Sequence, residues 1–226
     1  MKASSENEAF ALERQHMVAQ QIQARDVHDQ LILEAMRSVP RHRFVPSENR
    51  QHAYMDGPLP IGCGQTISQP YIVALMTQLL QLKGDETVLE IGTGSGYQAA
   101  ILASLARKVI TIERFPELSK QAAKVLKELG FKNVEVHVGD GSLGWQEQAP
   151  YQAIMVTAAA PVTPKSLLNQ LDDQGRLVIP VGEQWGQYLE RWIRRGKDYK
   201  REVLTPVAFV PLRGEEGWKD ERWNLD

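Results

Sequence analysis

A glycine-rich turn is the strongest chemical signal in the sequence. The segment VLEIGTGSGY, residues 88–97, has glycine at the alternate positions Gly92, Gly94 and Gly96. A short apolar strand is predicted before the turn and a helix directly after it. Glycine there allows a positive φ angle and lets a ligand approach the backbone, while the start of the helix offers free N–H groups. The turn is therefore a candidate site for a nucleotide or nucleoside.

Three kinds of ligand loop were compared with this turn. A Walker A phosphate loop is rejected, because Tyr97 and Gln98 stand where it needs Lys and then Ser or Thr. The dinucleotide fingerprint has the spacing G-x-G-x-x-G, whereas the spacing here is G-x-G-x-G. An acid followed by alternating glycines is the usual first motif of methyltransferases that use S-adenosylmethionine, and Glu90 leads it here. A tight turn that binds nothing stays open as an alternative.

Two acidic residues further along the chain favour a nucleoside. Glu113 ends the next predicted strand, 21 positions after Gly92, and an acid at about that distance accepts hydrogen bonds from ribose hydroxyls. Asp140 ends the third strand, where it can accept from an adenine amine, and Gly141 leaves room for the ring. Plainer alternatives are a surface pair between Glu113 and Arg114, and an ordinary Asp-Gly turn.

The predicted elements around the turn alternate between strand and helix. Between about residues 85 and 183, short apolar strands separated by helices predict an α/β fold with a doubly wound, Rossmann-like sheet. The candidate residues then share the carboxyl ends of neighbouring strands, where such sheets bind ligands. The segment from about residue 187 is predicted to add antiparallel strands at one edge, with the basic residues between Arg191 and Arg201 as a charged rim.

Two helices are predicted in the N-terminal part of the chain. The apolar spacing indicates one helix from about Ala9 to Ala24 and a second from Gln30 to Ser38. Asp29 is expected to cap the second helix.

A long, turn-rich segment precedes a third predicted helix. Residues 41–67 contain too many turn-forming residues for a regular element, and loops of that length are usually functional or disordered. The helix is predicted from Gln69 to Leu82, with Ser68 as its N-cap and Gly84 as its stop signal.

Composition limits the classes of function. Lys and Arg total 26 and Asp and Glu total 28, a formal net charge of -2. This balance argues against a nucleic-acid partner. No apolar stretch is long enough for a membrane helix, no His/Cys/Asp cluster has metal-ligand spacing, and the single cysteine, Cys63, excludes an intrachain disulfide. We expect a cytoplasmic monomer with no metal and no membrane partner. Cys63 is interpreted as a small buried packing residue, with a reactive thiol near the site as the alternative.

Several segments together resemble one methyltransferase family. The most specific is GQTISQPY at Gly64–Tyr71, which follows DGPLPIG at Asp56–Gly62. Supporting segments are RFVP at Arg43–Pro46, VTAAAP at Val156–Pro161 and the RLVIPVG segment that follows. From about residue 12 to 213 the chain resembles the protein-L-isoaspartate O-methyltransferases.

The resemblance implies a reaction and its partners. Members of this family transfer a methyl group from S-adenosyl-L-methionine to the α-carboxylate of an L-isoaspartyl residue in damaged proteins and peptides, leaving S-adenosyl-L-homocysteine. The ester then cyclises to a succinimide, which returns partly to aspartate. We expect one methyltransferase domain over residues 1–226, with N-terminal helices and a catalytic loop in 1–84, a cofactor-binding core in 85–183 and a β extension in 184–226.

The motifs and the resemblance together give each candidate residue a role. The resemblance implies that the hydroxyl of Ser68 is catalytic, and we expect it to orient the substrate carboxylate. The expected cofactor-binding residues are Gln65, Thr66, Ile67, Glu90, Gly92, Thr93, Gly94, Ser95, Gly96, Glu113, Arg114, Asp140, Gly141 and Thr157. The expected substrate-binding residues are Ile61, Thr66, Ser68, Val156, Ala158, Ala159 and Ala160.

Other enzyme classes fit the sequence less well. A methyltransferase of the same fold that acts on RNA or a metabolite is disfavoured by the balanced charge and by the specific segment before Gly84. A nicotinamide dehydrogenase is disfavoured by the glycine spacing and by the lack of an obvious Tyr-x-x-x-Lys or histidine partner. A reader of protein damage that binds the cofactor without transferring a methyl group is disfavoured by the presence of Ser68, Glu113 and Asp140.

Overall fold

A seven-stranded sheet forms the centre of the protein. The structure is a computed structural model that describes residues 2–219, with side chains described from residue 8 onwards. A separate hairpin is formed by β1 (Leu59–Gly62) and β2 (Gln65–Ile67). The strands of the main sheet are β3 (Thr87–Ile91), β4 (Lys108–Glu113), β5 (Val134–Val138), β6 (Tyr151–Val156), β7 (Leu171–Glu183), β8 (Gly186–Arg195) and β9 (Asp198–Val207).

The strand order places a crevice at the centre of this sheet. The order is β5-β4-β3-β6-β7-β8-β9, in which the first five strands are parallel and the last two are antiparallel. The chain leaves β3 toward β4 on one side and returns to β6 on the other. Ligands of open α/β sheets bind at such a switch point, outside the carboxyl ends of the strands. The predicted Rossmann-like class and the antiparallel C-terminal edge are both confirmed.

Helices pack on both faces of the sheet, but unequally. They are α1 (Lys2–His16), which continues as a π-helix over Met17–Gln23, α2 (Gln30–Ser38), α3 (Pro70–Leu80), α4 (Tyr97–Ala103), α5 (Pro116–Glu128) and α6 (Lys165–Asn169). Val88 and Met155 face a large apolar cluster built with the N-terminal helices, α3, α4 and α5. Leu89, Ile91 and Ile112 face a smaller cluster that includes Leu167 of α6.

The N-terminal helices agree with their sequence signals more closely than the region that follows. The Asp29 side chain accepts hydrogen bonds from the backbone N–H groups of Leu31 and Ile32, so the predicted cap is confirmed. Residues 41–67, by contrast, contain two 3-10 helices and the β1–β2 hairpin, so the expectation of no regular element there was wrong. The hairpin is only three to four residues long on each side, which is too short to leave a clear alternation in the sequence.

The predicted cap and end of the third helix are also wrong. Helix α3 begins at Pro70, and its N-cap is Gln69, which makes no capping hydrogen bond through its side chain. Proline at the first helical position lacks an N–H and fixes its own φ angle, so the helix starts there rather than one residue earlier. At the other end Gln81 adopts a left-handed conformation with φ 52°, so the helix stops at Leu80, before Gly84.

Charged residues line the C-terminal edge of the sheet. Arg191 on β8 pairs with Glu202 on β9, and Arg201 pairs with Glu190 across the same two strands. These two arginines are therefore each paired with an acid on the neighbouring strand, within the charged rim expected for an edge strand. In residues 2–219, no helix combines the length and apolar character that crossing a membrane requires, and no group of acidic, histidine and cysteine side chains has a metal-binding arrangement.

Candidate active site

A cleft of about 420 Å³ opens at the carboxyl ends of β3, β4 and β6. Its floor is the glycine turn after β3, and its walls come from the β1–β2 hairpin, the segment after β6 and the segment after β9. The lining residues are Cys63, Gly64, Gln65, Thr66, Ile91, Gly92, Gly94, Ile112, Glu113, Arg114, Phe115, Gly141, Thr157, Ala158, Val210, Pro211, Leu212 and Arg213. A volume of this size suits a small-molecule ligand.

Glycine is required where the floor meets the wall after β6. Gly92 has φ 94°, and a Cβ atom there would lie 2.5 Å from Oγ1 of Thr157. The Thr157 hydroxyl fills that space and donates to the carbonyl of Gly92 at 2.6 Å. No other residue type combines this backbone conformation with this contact. The turn is therefore packed tightly from below and open toward the cleft.

Strand β4 anchors the turn through its last residues. The backbone N–H of Gly92 donates to the Ile112 carbonyl at 2.8 Å, and that of Gly94 donates to Oε2 of Glu113 at 2.8 Å. The other oxygen of Glu113 accepts from the N–H of Phe115 at 3.0 Å. Glu113 is only 5% exposed, so it is not the surface residue of the plainer alternative. Each carboxylate oxygen keeps a second lone pair for a ligand.

Glu90 lies beneath the turn and does not line the cleft. It is fully buried, and its Oε2 atom is hydrogen-bonded to the hydroxyl of Thr111 on β4. Its Oε1 atom has no hydrogen-bond partner among the described residues. Burial raises the pKa of the Glu90 carboxyl to about 8, and the nearby charge of Glu113 adds to the increase.

Asp140 is bonded to the C-terminal segment. Its Oδ1 atom accepts from the N–H and the hydroxyl of Ser142, and its Oδ2 atom accepts from the N–H of Glu215 at 2.7 Å. Asp140 lines a neighbouring hollow of about 440 Å³ rather than the main cleft. Gly141 does line the cleft, but the space beside its Cα is occupied by Ile91, 2.4 Å from where a Cβ would stand.

The β1–β2 hairpin forms the wall opposite the sheet. Cys63 lies at its tip with φ 52° and an exposed side chain, so the interpretation as a buried packing residue was wrong. Its neighbours Gly62 and Gly64 carry no side chains that could cover it. Ile61, on the strand before the tip, is buried against the glycine turn, with its Cδ1 atom 3.3 Å from where a Cβ of Gly94 would stand.

Ser68 follows the hairpin, one residue after β2 ends at Ile67. Ile67 is buried in the core, whereas Ser68 is half-buried and lies outside the residues that line the cleft. Within the described chain the Ser68 hydroxyl has no hydrogen-bond partner and caps no helix. Thr66, in contrast, is exposed on the cleft wall.

A family model matches this chain over nearly its whole length. The model describes the protein-L-isoaspartate(D-aspartate) O-methyltransferases and covers residues 12–217. The chain belongs to this family.

Curated relatives in the family are similar over most of their length. The chain is 56% identical over 217 residues to protein-L-isoaspartate O-methyltransferase 1 of Rhodopseudomonas palustris, with 95% of this chain and 89% of the relative covered. It is 57% identical over 194 residues to the protein-L-isoaspartate O-methyltransferase of Dictyoglomus turgidum, with 86% and 88% covered.

Solved structures of the family share the fold. One protein-L-isoaspartate O-methyltransferase superposes with a TM-score of 0.78 at 28% identity, covering 84% of this chain and 63% of its own. A Plasmodium falciparum structure, described as a protein-L-isoaspartate O-methyltransferase in complex with S-adenosyl-L-homocysteine, superposes with a TM-score of 0.77 at 24% identity, covering 88% of this chain and 98% of its own.

The cleft of this family member brings together about half of the residues expected from the sequence. Those that line it are Gln65, Thr66, Gly92, Gly94, Glu113, Arg114, Gly141, Thr157 and Ala158. Those that lie outside its lining are Ile61, Ile67, Ser68, Glu90, Thr93, Ser95, Gly96, Asp140, Val156, Ala159 and Ala160.

The wall after β9 was missed by sequence reasoning. Val210 and Leu212 run beside Ala159, which donates its N–H to the Val210 carbonyl and accepts from the Leu212 N–H, both at 2.8 Å. Phe115, after Glu113, also lines the cleft. The only sequence signal for the wall was the apolar segment VAFVPL at the end of the predicted β extension, which was interpreted as strand.

Proposed function

We infer that this chain is a protein repair enzyme that transfers the methyl group of S-adenosylmethionine to the α-carboxylate of L-isoaspartyl residues in damaged proteins and peptides. Membership of the protein-L-isoaspartate O-methyltransferase family over residues 12–217 carries this conclusion. The other product is S-adenosylhomocysteine, and the methyl ester goes on to a succinimide that partly returns to aspartate.

The central cleft is the proposed cofactor site. The glycine turn offers a floor without side chains at Gly92 and Gly94, and Glu113 has lone pairs available for ribose hydroxyls. We propose that Gly141 and the neighbouring Asp140 bind the adenine end; the Asp140 carboxylate keeps acceptor capacity beyond its three hydrogen bonds to the protein. S-adenosylmethionine supplies a methyl group on a sulfonium, which is already a good leaving group.

The enzyme has little acid–base chemistry to perform. An α-carboxylate is ionised at neutral pH, so no general base is needed. What the protein must supply is geometry, since the attacking oxygen has to lie in line with the methyl carbon at about 3–3.5 Å. We propose that hydroxyl groups beside the cleft supply this by orienting the carboxylate without neutralising it.

Ser68 is the proposed orienting residue, with Thr66 beside it. The Ser68 hydroxyl is not used by the fold, either as a helix cap or in another hydrogen bond within residues 8–219, so both its proton and its lone pairs are free for a substrate. Thr66 exposes its hydroxyl on the cleft wall two residues earlier. On the far wall Thr157 and Ala158 would border the substrate, with Val156, Ala159 and Ala160 packed behind them.

Two synthetic peptides test the activity. They differ only in whether one position is isoaspartate or aspartate, and methyl transfer from labelled S-adenosylmethionine is measured for each. We expect transfer to the isoaspartyl peptide alone. Equal methylation of both peptides, or of neither, would contradict the proposed function.

A Ser68→Ala variant tests the orienting role. Turnover on the isoaspartyl peptide should fall at least tenfold, whereas affinity for S-adenosylhomocysteine and the free energy of unfolding should stay within the range of Ser47→Ala. Ser47 is an exposed serine on a 3-10 helix and serves as the matched control. Full activity of a folded Ser68→Ala variant would remove Ser68 from the mechanism.

The proposed cellular setting follows from the sequence. We propose that the chain acts as a cytoplasmic monomer on protein and peptide substrates. Its balanced charge argues against a nucleic-acid partner. Light scattering during size-exclusion chromatography tests the monomer, and cell fractionation tests the location.

A further inference from the structure

Glu90 is a buried acid with no cation to balance it. It is 0% exposed, and no basic group forms an ion pair with it among the described residues. It stands on β3 two residues before the turn, on the sheet face that also carries Val88. A buried carboxylate without a counter-charge is costly, so a group in this position is favoured in its neutral form.

A short chain of hydroxyl groups connects Glu90 to the glycine turn. Glu90 and Thr111 are direct partners in the β3–β4 register, and their side chains are hydrogen-bonded through Oε2 and Oγ1. Thr111 Oγ1 lies 2.6 Å from Thr93 Oγ1. Thr93 belongs to the turn, and its carbonyl accepts from the N–H of Gly96 at 2.8 Å, where α4 begins.

Burial, with a smaller effect from the charge of Glu113, favours the neutral form of Glu90. Glu113 on β4 is the one ionisable group whose charge acts on it appreciably, and that charge is negative. Helices α3 and α4, which cover this face, contribute no charged side chain. Burial raises the pKa of Glu90 to about 8; the hydrogen bond from Thr111 opposes this increase, and the charge of Glu113 adds to it. The two acids next to the turn therefore have different surroundings: Glu113 accepts backbone N–H groups, whereas burial favours the neutral form of Glu90.

We propose that Glu90 is a positioning residue that, as a neutral acid, holds Thr111 and through it Thr93, and so sets the glycine turn for the cofactor without touching it. This rests on the proposed binding of S-adenosylmethionine in the cleft. In the structure the Thr111 hydroxyl donates to Oε2 of Glu90. When the proton is on Oε2 this bond runs the other way, and Thr111 then donates to Thr93. Ionisation removes the first proton, so both hydroxyls must turn toward the carboxylate and Thr93 loses the bond that it accepted.

Calorimetric binding of S-adenosylhomocysteine from pH 6.5 to 9.5 tests the proposal. Three proteins are compared: the wild type, Glu90→Gln, which stays neutral and can still hydrogen-bond, and Glu90→Leu, which cannot. At pH 6.5 the Gln variant should bind within twofold of the wild type and the Leu variant at least fivefold more weakly. The amino group of the ligand titrates in the same way with every protein. The ratio of the wild-type dissociation constant to that of Glu90→Gln therefore reports only the effect of ionising Glu90. It should rise about tenfold by pH 9.

Three results would overturn the proposal. They are a Gln variant that binds tenfold more weakly at pH 6.5, a wild-type to Gln ratio that does not change with pH, and a folded Leu variant with full affinity. If Glu90→Leu does not fold, Thr111→Val takes its place, with the same loss expected.

An infrared measurement separates this proposal from the proposed function. If the wild type does not bind S-adenosylhomocysteine at all, the proposed function fails by itself. The state of Glu90 is then decided by the difference spectrum between wild type and Glu90→Gln at pH 7. A carboxylic-acid carbonyl band present only in the wild type supports a neutral Glu90, and its absence refutes it.

Discussion

The backbone N–H of Gly94 donates a 2.8 Å hydrogen bond to Oε2 of Glu113, so the acid proposed to bind the ribose also holds the floor of the cleft. The same carboxylate fixes Phe115 through its other oxygen. A single side chain thus shapes the empty site and is also the one proposed to contact the bound cofactor. Effects on the turn and on the ligand cannot be separated at this residue.

Replacing Glu113 should therefore weaken cofactor binding severely. We expect Glu113→Ala to lower the affinity for S-adenosylhomocysteine at least tenfold, about 1.4 kcal/mol, because hydrogen bonds to a charged acceptor are lost from both the turn and the ligand. Isothermal calorimetry measures this. Glu117→Ala, an exposed acid in the first turn of α5, should bind like the wild type. Equal affinities for the two variants would contradict the role given to Glu113.

A side chain at Gly92 should collide with Thr157. We expect Gly92→Ala to lower the free energy of unfolding by about 2 kcal/mol or more, because the left-handed backbone and the 2.5 Å approach to Oγ1 both oppose a Cβ atom. Adding Thr157→Ala removes the collision but leaves the backbone strain, so the double variant should recover part of the loss. Strictly additive effects in denaturant unfolding would show that the two residues do not compete for space.

The segment after Leu212 should depend on glycine at position 214. Gly214 has φ 156°, and a Cβ there would lie 2.0 Å from Oδ1 of Asp140. Gly214→Ala should displace the segment and weaken S-adenosylhomocysteine binding several-fold, since that segment continues a wall of the cleft. Gly196→Ala is the control, because Gly196 also has positive φ but nothing within 4 Å. Equal affinity of the two variants for S-adenosylhomocysteine would show that this segment does not contribute to cofactor binding.

The neutral state of Glu90 predicts how stability depends on pH. Its pKa in the folded protein is about 8, above the ordinary value of 4.5, so the folded state binds an extra proton between these values. The stability of the wild type relative to Glu90→Gln should therefore fall as pH rises from about 4.5 to about 8, by on the order of 5 kcal/mol, and change little beyond. Urea unfolding of both proteins at several pH values measures this difference.

His42 is a second buried group with a shifted pKa, and its contribution to the pH dependence of stability must cancel when the wild type is compared with Glu90→Gln. Burial, together with Arg14, Arg43 and Arg50, lowers the pKa of His42 to about 4. Its contribution runs the other way, since stability is lost as pH falls from about 6.5 to about 4. Because His42 is present in both proteins, the difference between them reports on Glu90 alone. A difference that stays constant with pH would mean that Glu90 is ionised in the folded protein.

Much of the fold could be predicted because local signals agreed with the tertiary structure. The alternation of apolar strands and helices after residue 85 predicted the parallel core, and Asp29 capped α2 as its position indicated. Sequence signals for helix ends failed at α3, where a neighbouring residue determined the structure instead. Ser68 is a good capping residue, but Pro70 determines where α3 begins, and the left-handed Gln81 ends it without a glycine.

The candidate site was predictable in its floor and less so in its walls. The floor is built from one strand–turn–helix motif and the strand that follows it. The sequence spacing of Gly92, Gly94 and Glu113 therefore determines how they are arranged in space. Whether Glu90 faces the ligand or the core depends on strand alternation at the turn, which the motif does not reveal. The wall at residues 210–213 lies more than a hundred positions after the glycine turn in the sequence. No sequence pattern predicts its hydrogen bonds to Ala159.

The two sides of the cleft differ in how firmly they are built. The segment after β6 is bonded both to Val210 and Leu212 and to the main sheet, where Ala160 donates to the Pro180 carbonyl. The β1–β2 hairpin opposite pairs only with itself as a sheet. What ties the hairpin to the body of the protein is the burial of Ile61 and Ile67 and the hydrogen bond that Asn49 donates to the Pro60 carbonyl. We therefore expect substitutions in this short hairpin, more than substitutions in the large sheet, to change which substrate shapes the enzyme accepts.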